Sequence, residues 1–303
     1  MVLLEKSGFN FDGNLKKSIQ IIKYHLQCVE GNMCSTASVA VQMRDDLIQT
    51  YGNYRPGEAA KLADPIKQNI ESKLGGLVKG ELVFVATRND QLRELLKLRF
   101  AQQVARGKRR VVYIFSAKDS LLRVTCGLVD SMTRRPMVDG IYNGQLNDEE
   151  VGSMYSVLTR LSSLEIFVNP CPFRIDEISQ YLLMHQNDSS SAGLIIVDRV
   201  RMIAGDTNRL ISIHQSLKLL GDLAHKLMVP ILVTDQLDPA IENHSARLTR
   251  SELREFEELA EIPDRLMLMD GTAENMVLFS PRLPRNSDPA GDTGGGGRKA
   301  LGL

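Results

Sequence analysis

Residues 82–96, LVFVATRNDQLRELL, combine an apolar run, a polar turn and a charged segment with regularly spaced leucines. The apolar run is typical of a strand buried on both faces, and the leucine spacing indicates a helix after it. Many α/β proteins bind phosphate at such a corner, because unpaired N–H groups at a helix N-terminus attract anions. Residues 88–94, however, contain no glycine, lysine, serine or threonine, and they include the carboxylates Asp90 and Glu94.

The same alternation of short apolar runs and helical segments continues along the chain. Further strands are predicted at 110–116, 164–168, 193–198 and 229–235, in addition to 81–86. One intervening helix opens at Asn147 with Glu150 three residues on, which is a capping-box arrangement. Strands that are apolar on both faces and separated by helices predict an α/β fold with a mainly parallel sheet covered on both sides. Two last runs, 265–270 and 275–280, predict a C-terminal antiparallel hairpin.

The chain divides into three predicted regions. Residues 1–56 form a helical N-terminal segment, whose stretch 14–29 has apolar residues at helical spacing: Leu15, Ile19, Ile22, Leu26 and Val29. A Gly/Pro-punctuated connection near 50–57 leads into a core over 57–285. The Gly/Pro-rich tail, 286–303, has almost nothing to bury and is predicted to be disordered.

Composition limits the classes of partner. The 303 residues are 43% hydrophobic and 24% charged, which is enough for one large core. Lys and Arg number 37 and so do Asp and Glu, so any nucleic-acid contact must come from a local patch. No apolar run approaches the roughly 20 residues that span a bilayer, and the N-terminus lacks a signal-peptide pattern. We therefore expect a cytoplasmic protein with no membrane partner.

Cysteine and histidine spacing predicts no metal site. The four cysteines show no C-x-x-C pair, which favours reduced, buried thiols. His214 and His225 lie about three helical turns apart, which is too far for a shared ion.

The order of the motifs resembles that of one known family. The matching blocks are LGGLVKGELVFVA (74–86), VVYIFSAKDS (111–120), GQLNDEEVGSMYSVLTRLSSLEIFV (144–168), GLIIVDRVRMI (193–203), VPILVTDQL (229–237) and RSELREFEELAEIPDRLMLM (250–269). Over 57–285 the chain is similar to the C-terminal, RecA-like motor domain of bacterial DnaB replicative helicases. The resemblance implies a RecA-like P-loop NTPase fold, and it likens 14–29 to the linker helix through which helicase motors dock on one another.

Two departures from this family concern catalysis. The family's phosphate loop closes with Gly-Lys-Thr, but these positions fall on Leu92, Arg93 and Glu94. Leucine resists the positive φ of a phosphate nest, and Glu94 reverses the local charge. The family's catalytic-base glutamate, after the second strand, aligns with Lys118. Asp90 and Glu94 are instead expected to supply negative charge to the helix N-terminus themselves.

Other functional positions are retained. Asp198 matches the family's Walker B aspartate, Gln236 its sensor glutamine, and Arg282, in a looser alignment, its arginine finger. Each also has a simpler interpretation: a strand-end aspartate bonded to a loop, a capping glutamine and a surface arginine.

The resemblance also identifies candidate DNA contacts in loops at the carboxyl ends of the strands. They are Arg199, Arg201, Arg247, Arg250, Arg254 and Glu255. Arginines suit phosphate contacts that ignore base sequence, although a solvated loop of mixed charge explains the same residues. Aromatics are only 5% of the chain, so base stacking is not expected.

Two functional hypotheses follow from the resemblance and its departures. The leading one is a catalytically degenerate DnaB-like protein, a pseudo-ATPase without a bound cofactor, that binds DNA, an active replicative helicase, or both. Its expected partners are single-stranded or forked DNA, a replicative helicase or another replication protein, and further copies of itself. The alternative is an active ATP-dependent DNA helicase that binds ATP and magnesium in an unorthodox site, with Arg93 replacing lysine and Glu94 joining Asp198 on the metal. A RecA-like recombination mediator or a signalling ATPase relative is disfavoured, because the NDEE and SELRE blocks resemble the helicase branch.

Overall fold

A computed structural model describes residues 33–51, 76–87, 89–107, 111–169, 174–185, 192–204, 209–236, 259–269 and 276–279. Its helices are α1 (Thr36–Tyr51), α2 (Asp90–Ala105), α3 (Leu121–Thr133), α4 (Val138–Asn143), α5 (Asp148–Leu161), α6 (Ile175–Met184), α7 (Val200–Ala204) and α8 (Arg209–Leu227). Its strands are β1 (Cys34–Ser35), β2 (Leu82–Thr87), β3 (Val111–Ser116), β4 (Ile166–Asn169), β5 (Ala192–Asp198), β6 (Ile231–Gln236), β7 (Arg265–Met269) and β8 (Met276–Phe279). The predicted segments 14–29 and 286–303 lie outside the described residues.

The strands form one mixed sheet in the order β1-β4-β3-β5-β6-β2-β7-β8. The pairs from β4 across to β7 are parallel, and the two outer pairs, β1 with β4 and β7 with β8, are antiparallel. The predicted α/β class, the seven predicted strands and the C-terminal hairpin are therefore confirmed. Strand β1 was not predicted.

The sheet is buried on both faces, as its apolar strands require. In β2, Val83 and Val85 belong to the core under α1 to α5, whereas Leu82, Phe84 and Ala86 belong to the core under α6 to α8. Because successive side chains of a strand point to opposite faces of the sheet, one apolar run contributes residues to both cores.

Helix α5 begins as predicted. Asn147 caps its N-terminus by accepting from the Glu150 N–H at 2.9 Å, and the Glu150 carboxylate accepts from the Asn147 N–H at 3.1 Å. The capping box at this position is confirmed.

Helix α1 packs into the main core. Its Val39, Ala40, Met43 and Leu47 are buried in the same cluster as the strands of the sheet. The Tyr51 hydroxyl, at its C-terminal end, donates to the Gly140 carbonyl at 2.6 Å. The domain boundary after residue 56 stays a prediction, and α1 on its N-terminal side shares the core of the residues that follow. Within the described residues, no helix combines the length and apolarity needed to cross a bilayer.

Candidate functional site

Three polar residues form a row across the carboxyl ends of adjacent strands. Sheet register places Ser116 of β3 beside Asp198 of β5, and Asp198 beside Thr234 of β6. All three are completely buried. Thr234 Oγ1 donates to Asp198 Oδ1 at 2.6 Å, and Ser116 Oγ lies 3.2 Å from Asp198 Oδ2. The row faces α2, at the edge where open α/β sheets usually bind ligands.

Helix α2 begins immediately after β2, within the segment that was compared with a phosphate loop. Asn89 is its N-cap, with extended backbone angles, and the Asn89 side chain accepts from the Leu92 N–H at 3.1 Å. The Arg93 N–H donates to the Asn89 carbonyl at 3.0 Å, so Leu92 and Arg93 already lie in regular helix. The chain's own cap therefore satisfies N–H groups that bind an anion in a phosphate loop.

Arg93 extends from α2 to the centre of the row. Its side chain is only 1% exposed and makes an ion pair with Asp198 through Nη1 and Oδ1. Its Nε donates to Asp90 Oδ1 at 2.9 Å. Its Nη2 also lies 3.7 Å from Glu94 Oε2, so the buried guanidinium has three carboxylates as partners.

Lys97, one helical turn further along α2, is the second buried cation. Its Nζ donates to Asp119 Oδ2 at 2.7 Å and to Asp198 Oδ2 at 3.0 Å, and it lies 2.6 Å from Glu94 Oε2 in an ion pair. The Lys97 side chain is completely buried. An ammonium has three N–H donors, and three carboxylates surround this one.

The opposite charges determine the protonation of the cluster. Burial alone would raise the pKa of Asp198, but the charges of Lys97 and Arg93 and the Thr234 hydrogen bond hold that pKa well below its usual range. Burial would lower the pKa of Lys97 and of Arg93, but neighbouring carboxylates raise both. Both cations and Asp198 are therefore charged at neutral pH.

Glu94 responds in the opposite direction. Burial raises its pKa, Lys97 lowers it, and repulsion from Asp119 and Asp198 raises it again, so the net shift is upward. Glu94 lies in the second turn of α2 and its carboxylate contacts Lys97. The expectation that it supplies charge to the helix N-terminus is therefore wrong, whereas Asp90 does lie in the first turn.

A second layer of ion pairs surrounds this centre. Arg123, whose side chain is 40% exposed, contacts Asp119 Oδ1 through Nε at 3.1 Å. Arg199 is 7% exposed, donates to Gln236 Oε1 at 3.0 Å and makes a further hydrogen bond to Asp90. The backbone of Arg199 has φ +59°, a left-handed conformation that few non-glycine residues adopt.

The family model for the DnaB-like helicase C-terminal domain matches residues 67–276, well over half of the chain. The chain belongs to this DnaB-like family. The replicative DNA helicase DnaB of Geobacillus stearothermophilus is 26% identical over 230 residues, which cover 70% of this chain and 49% of that protein. The chain therefore spans about half the length of the curated relatives it matches.

Solved structures of DnaB-like proteins share the fold. One of them, an ATPase domain, has a TM-score of 0.53 at 16% identity, covering 85% of this chain and 83% of that one. A DnaB-like replicative helicase, described with its interactions with primase, has a TM-score of 0.57 at 16% identity, covering 77% and 65%. The RecA-like fold implied by the sequence is confirmed.

The oxygens of Asp198, the aspartate that the DnaB resemblance assigns to magnesium, are already occupied by groups of the chain itself. Asp198 Oδ1 is bound by Thr234 and Arg93, and Oδ2 faces Lys97 and Ser116. A carboxylate offers about four acceptor positions, so a metal would have to displace one of these groups. The Arg93 guanidinium also lies directly beside Asp198 and makes an ion pair with it.

The structure adds a carboxylate near the position where the base was expected to be lost. Lys118 is exposed, but Asp119, one residue later, is 2% exposed and points at Lys97. Its N–H donates to Ser116 Oγ at 3.1 Å, which turns the loop after β3 toward the row. The site therefore has a second carboxylate, Asp119, even though Lys118 stands where the family's base was expected.

The remaining predicted residues fall into two groups. Asp198 and Gln236 lie at the ends of β5 and β6, Asp198 inside the cluster and Gln236 bonded to Arg199; their functional roles stay predictions. Arg201 is 17% exposed and contacts Asp235 at 3.0 Å. DNA contact by Arg199 or Arg201 stays a prediction, although these internal ion pairs do not favour it. The candidates outside the described residues are Arg247, Arg250, Arg254, Glu255 and Arg282.

Sequence reasoning missed Ser116, Thr234, Lys97 and Asp119. Lys97 had a visible signal, because it interrupts the apolar stretch LLKLRF (95–100), where a lysine is either at the edge of a buried face or paired inside it. The positions of Ser116 and Thr234 depend on strand register, and that of Asp119 on the turn after β3; single-sequence patterns supply neither.

Proposed function

We propose that this chain is a catalytically degenerate member of the DnaB-like family, a pseudo-ATPase. It acts by binding DNA, an active replicative helicase, or both, in DNA replication or its control. The proposal rests on the ion-pair cluster, in which Arg93 contacts one carboxylate oxygen of Asp198 and Lys97 contacts the other. Cofactors are not required for this function.

The energetics favour the cluster over a nucleotide. A triphosphate at this corner has to separate Arg93 from Asp198 or lie against Asp90 and Glu94. Breaking a buried ion pair costs about 3–5 kcal/mol. A cost of about 4 kcal/mol turns a micromolar dissociation constant into a millimolar one. Nucleotide affinity in the micromolar range is therefore not expected.

Retention of the fold supports a binding role. The whole sheet and the helices on both of its faces are present, so surfaces built on this scaffold can persist without catalysis. The similar DnaB-like helicase is described with primase as a partner. For this chain we propose a replication protein, with the replicative helicase first, and single-stranded or forked DNA. Because the chain has no net formal charge, DNA binding would depend on a local arginine patch.

One observation favours the alternative, an ATP-dependent DNA helicase with an unorthodox site. Carboxylate oxygens of Glu94, Asp119 and Asp198 lie within 4.8 Å of one another, a spacing that suits ligands of one cation. If Lys97 and Arg93 moved aside, these carboxylates could hold magnesium next to a nucleotide. We rank this second, because both cations are buried and fully engaged with carboxylates.

Isothermal titration calorimetry with ATP and magnesium separates the two functions. The pseudo-ATPase is expected to show no binding tighter than about millimolar, for the energetic reason given above. Micromolar, magnesium-dependent binding contradicts it. DNA-stimulated ATP hydrolysis that is lost in Asp198→Ala but kept in Lys118→Ala, a matched change at an exposed neighbouring residue, establishes the helicase alternative.

The binding role needs its own measurement. Fluorescence anisotropy with labelled single-stranded DNA should show affinity that falls with salt, because phosphate contacts release counterions. Light scattering of the purified chain with the replicative helicase of the same cells should show a stoichiometric complex. Failure of both, with a folded protein, contradicts the proposed role.

A further inference from the structure

Three acidic side chains from separate elements converge beneath α2. Glu94 comes from α2 itself, Asp119 from the loop after β3 and Asp198 from the end of β5. Their oxygens lie within 4.8 Å of one another. Such a group repels itself unless a cation lies inside it, and we call these three residues the carboxylate cage.

The cation inside the cage belongs to the protein. The Lys97 Nζ is 2.6 Å from Glu94, 2.7 Å from Asp119 and 3.0 Å from Asp198. Lys97 is completely buried, so its ammonium has exchanged water for these oxygens. Metal–oxygen distances are shorter, about 2.0–2.1 Å for magnesium and 2.3–2.6 Å for calcium. An ion at the same centre would therefore need the cage to contract by several tenths of an ångström.

The surrounding groups fix the ammonium in place. Ser116 Oγ lies 3.3 Å from the same Asp119 oxygen that accepts from Lys97. Arg93 holds the other oxygen of Asp198, and Arg123 holds the other oxygen of Asp119. Asp119 and Asp198, the two buried carboxylates of the cage, therefore each have one oxygen beside Lys97 and the other beside an arginine.

We propose that Lys97 is a tethered cation that replaces the divalent metal of this site. The cage is a cation site whose resident ligand is the chain's own ammonium, and divalent ions can enter only when Lys97 is removed. The inference deepens the proposed function, since it explains why the site needs no metal. It concerns metal alone, so it is testable without nucleotide.

The experiment compares manganese binding by the wild type, Asp198→Asn, Lys97→Met, Lys97→Met with Asp198→Asn, and Lys118→Met as a matched exposed control. Electron paramagnetic resonance counts bound manganese, and thermal unfolding with and without manganese reports its effect on the fold. Lys97→Met should bind one manganese ion at the cage, whereas the wild type should bind none there. Its unfolding temperature should rise with manganese. Both gains should vanish when Asp198 is also changed, and Lys118→Met should match the wild type.

Two results would overturn the inference. One is wild-type manganese binding that is lost in Asp198→Asn, which means that the cage accepts metal with Lys97 present. The other is a folded Lys97→Met that binds manganese no better than the wild type. If Lys97→Met does not fold without metal, its recovery by manganese supports the inference. If Lys97→Met does not fold at all, the comparison of manganese binding between the wild type and Asp198→Asn decides. The proposed function fails on a separate readout, nucleotide binding in the calorimeter.

Discussion

Replacing Arg93 with methionine tests the centre of the site directly. Methionine keeps the apolar length of the side chain but removes the guanidinium that pairs with Asp198 and Asp90. Asp198 is completely buried, so it cannot recover the lost interaction from water. Arg93→Met should therefore lower the free energy of unfolding far more than a surface change does.

The magnitude follows from burial. Breaking a buried ion pair by removing one partner costs about 3–5 kcal/mol. Lys97 still contacts Asp198 at 3.0 Å, so we expect the lower end, about 3 kcal/mol. Arg123→Ala removes a cation from the same cluster, but its side chain is 40% exposed and the cost should stay below about 1 kcal/mol. A domain has only about 5–15 kcal/mol in total, so the two variants should differ clearly.

Urea unfolding followed by far-ultraviolet circular dichroism measures both variants, since the chain has no tryptophan for fluorescence. With a slope of about 1–3 kcal/mol per molar urea, Arg93→Met should move the midpoint by about 1 M or more. The double variant Arg93→Met with Asp198→Asn should lose less than the sum of the single changes, by at least about 1 kcal/mol. Equal costs for Arg93→Met and Arg123→Ala, or strict additivity, would refute the buried pair.

Two further predictions concern other parts of the fold. Tyr51→Phe should lower the free energy of unfolding by about 1–2 kcal/mol in urea, because the hydroxyl that donates to Gly140 O and accepts from Leu146 N is removed. Burial raises the pKa of Asp235 to about 6, although Arg201 and two backbone N–H groups oppose the rise. The unfolded pKa is about 3.9, so folded Asp235 holds its proton more tightly and the wild type should lose stability as pH rises from about 4 to about 6. Asp235→Asn should lack this pH-dependent loss, which is at most about 3 kcal/mol, when the free energy of unfolding is measured at several pH values. If the free energies of the wild type and of Asp235→Asn change with pH in parallel, Asp235 is not the group responsible.

The sequence was sufficient for most of the sheet, for identifiable reasons. Runs such as VVYIFS and LIIVD are apolar on both faces, which predicts a covered parallel strand, and Asn147 with Glu150 marks a helix start by local chemistry alone. Strand β1 was not predicted, because two residues are too few to show an alternating pattern. It exists because Cys34 and Ser35 pair with Val168 and Phe167 at the edge of the sheet.

The site was predicted in part. Asp198 and the change at Arg93 were visible as positions in a motif, but their contact was not, because it joins residues 105 apart in the chain. Asp119 was overlooked beside Lys118, since only the turn made by Ser116 decides which of the two side chains points inward. Lysine is usually a surface residue, and the burial of Lys97 depends on Glu94 of its own helix together with Asp119 and Asp198 from other elements.

Arg93 and Lys97 are four residues apart on a single helix, so both counter-charges of Asp198 are covalently part of the chain. Dialysis cannot remove them, chelators cannot compete for them, and their local concentration does not change with the energy supply of the cell. Under the proposed function, whatever surface α2 helps to support is present from the moment the chain folds, in starved and growing cells alike.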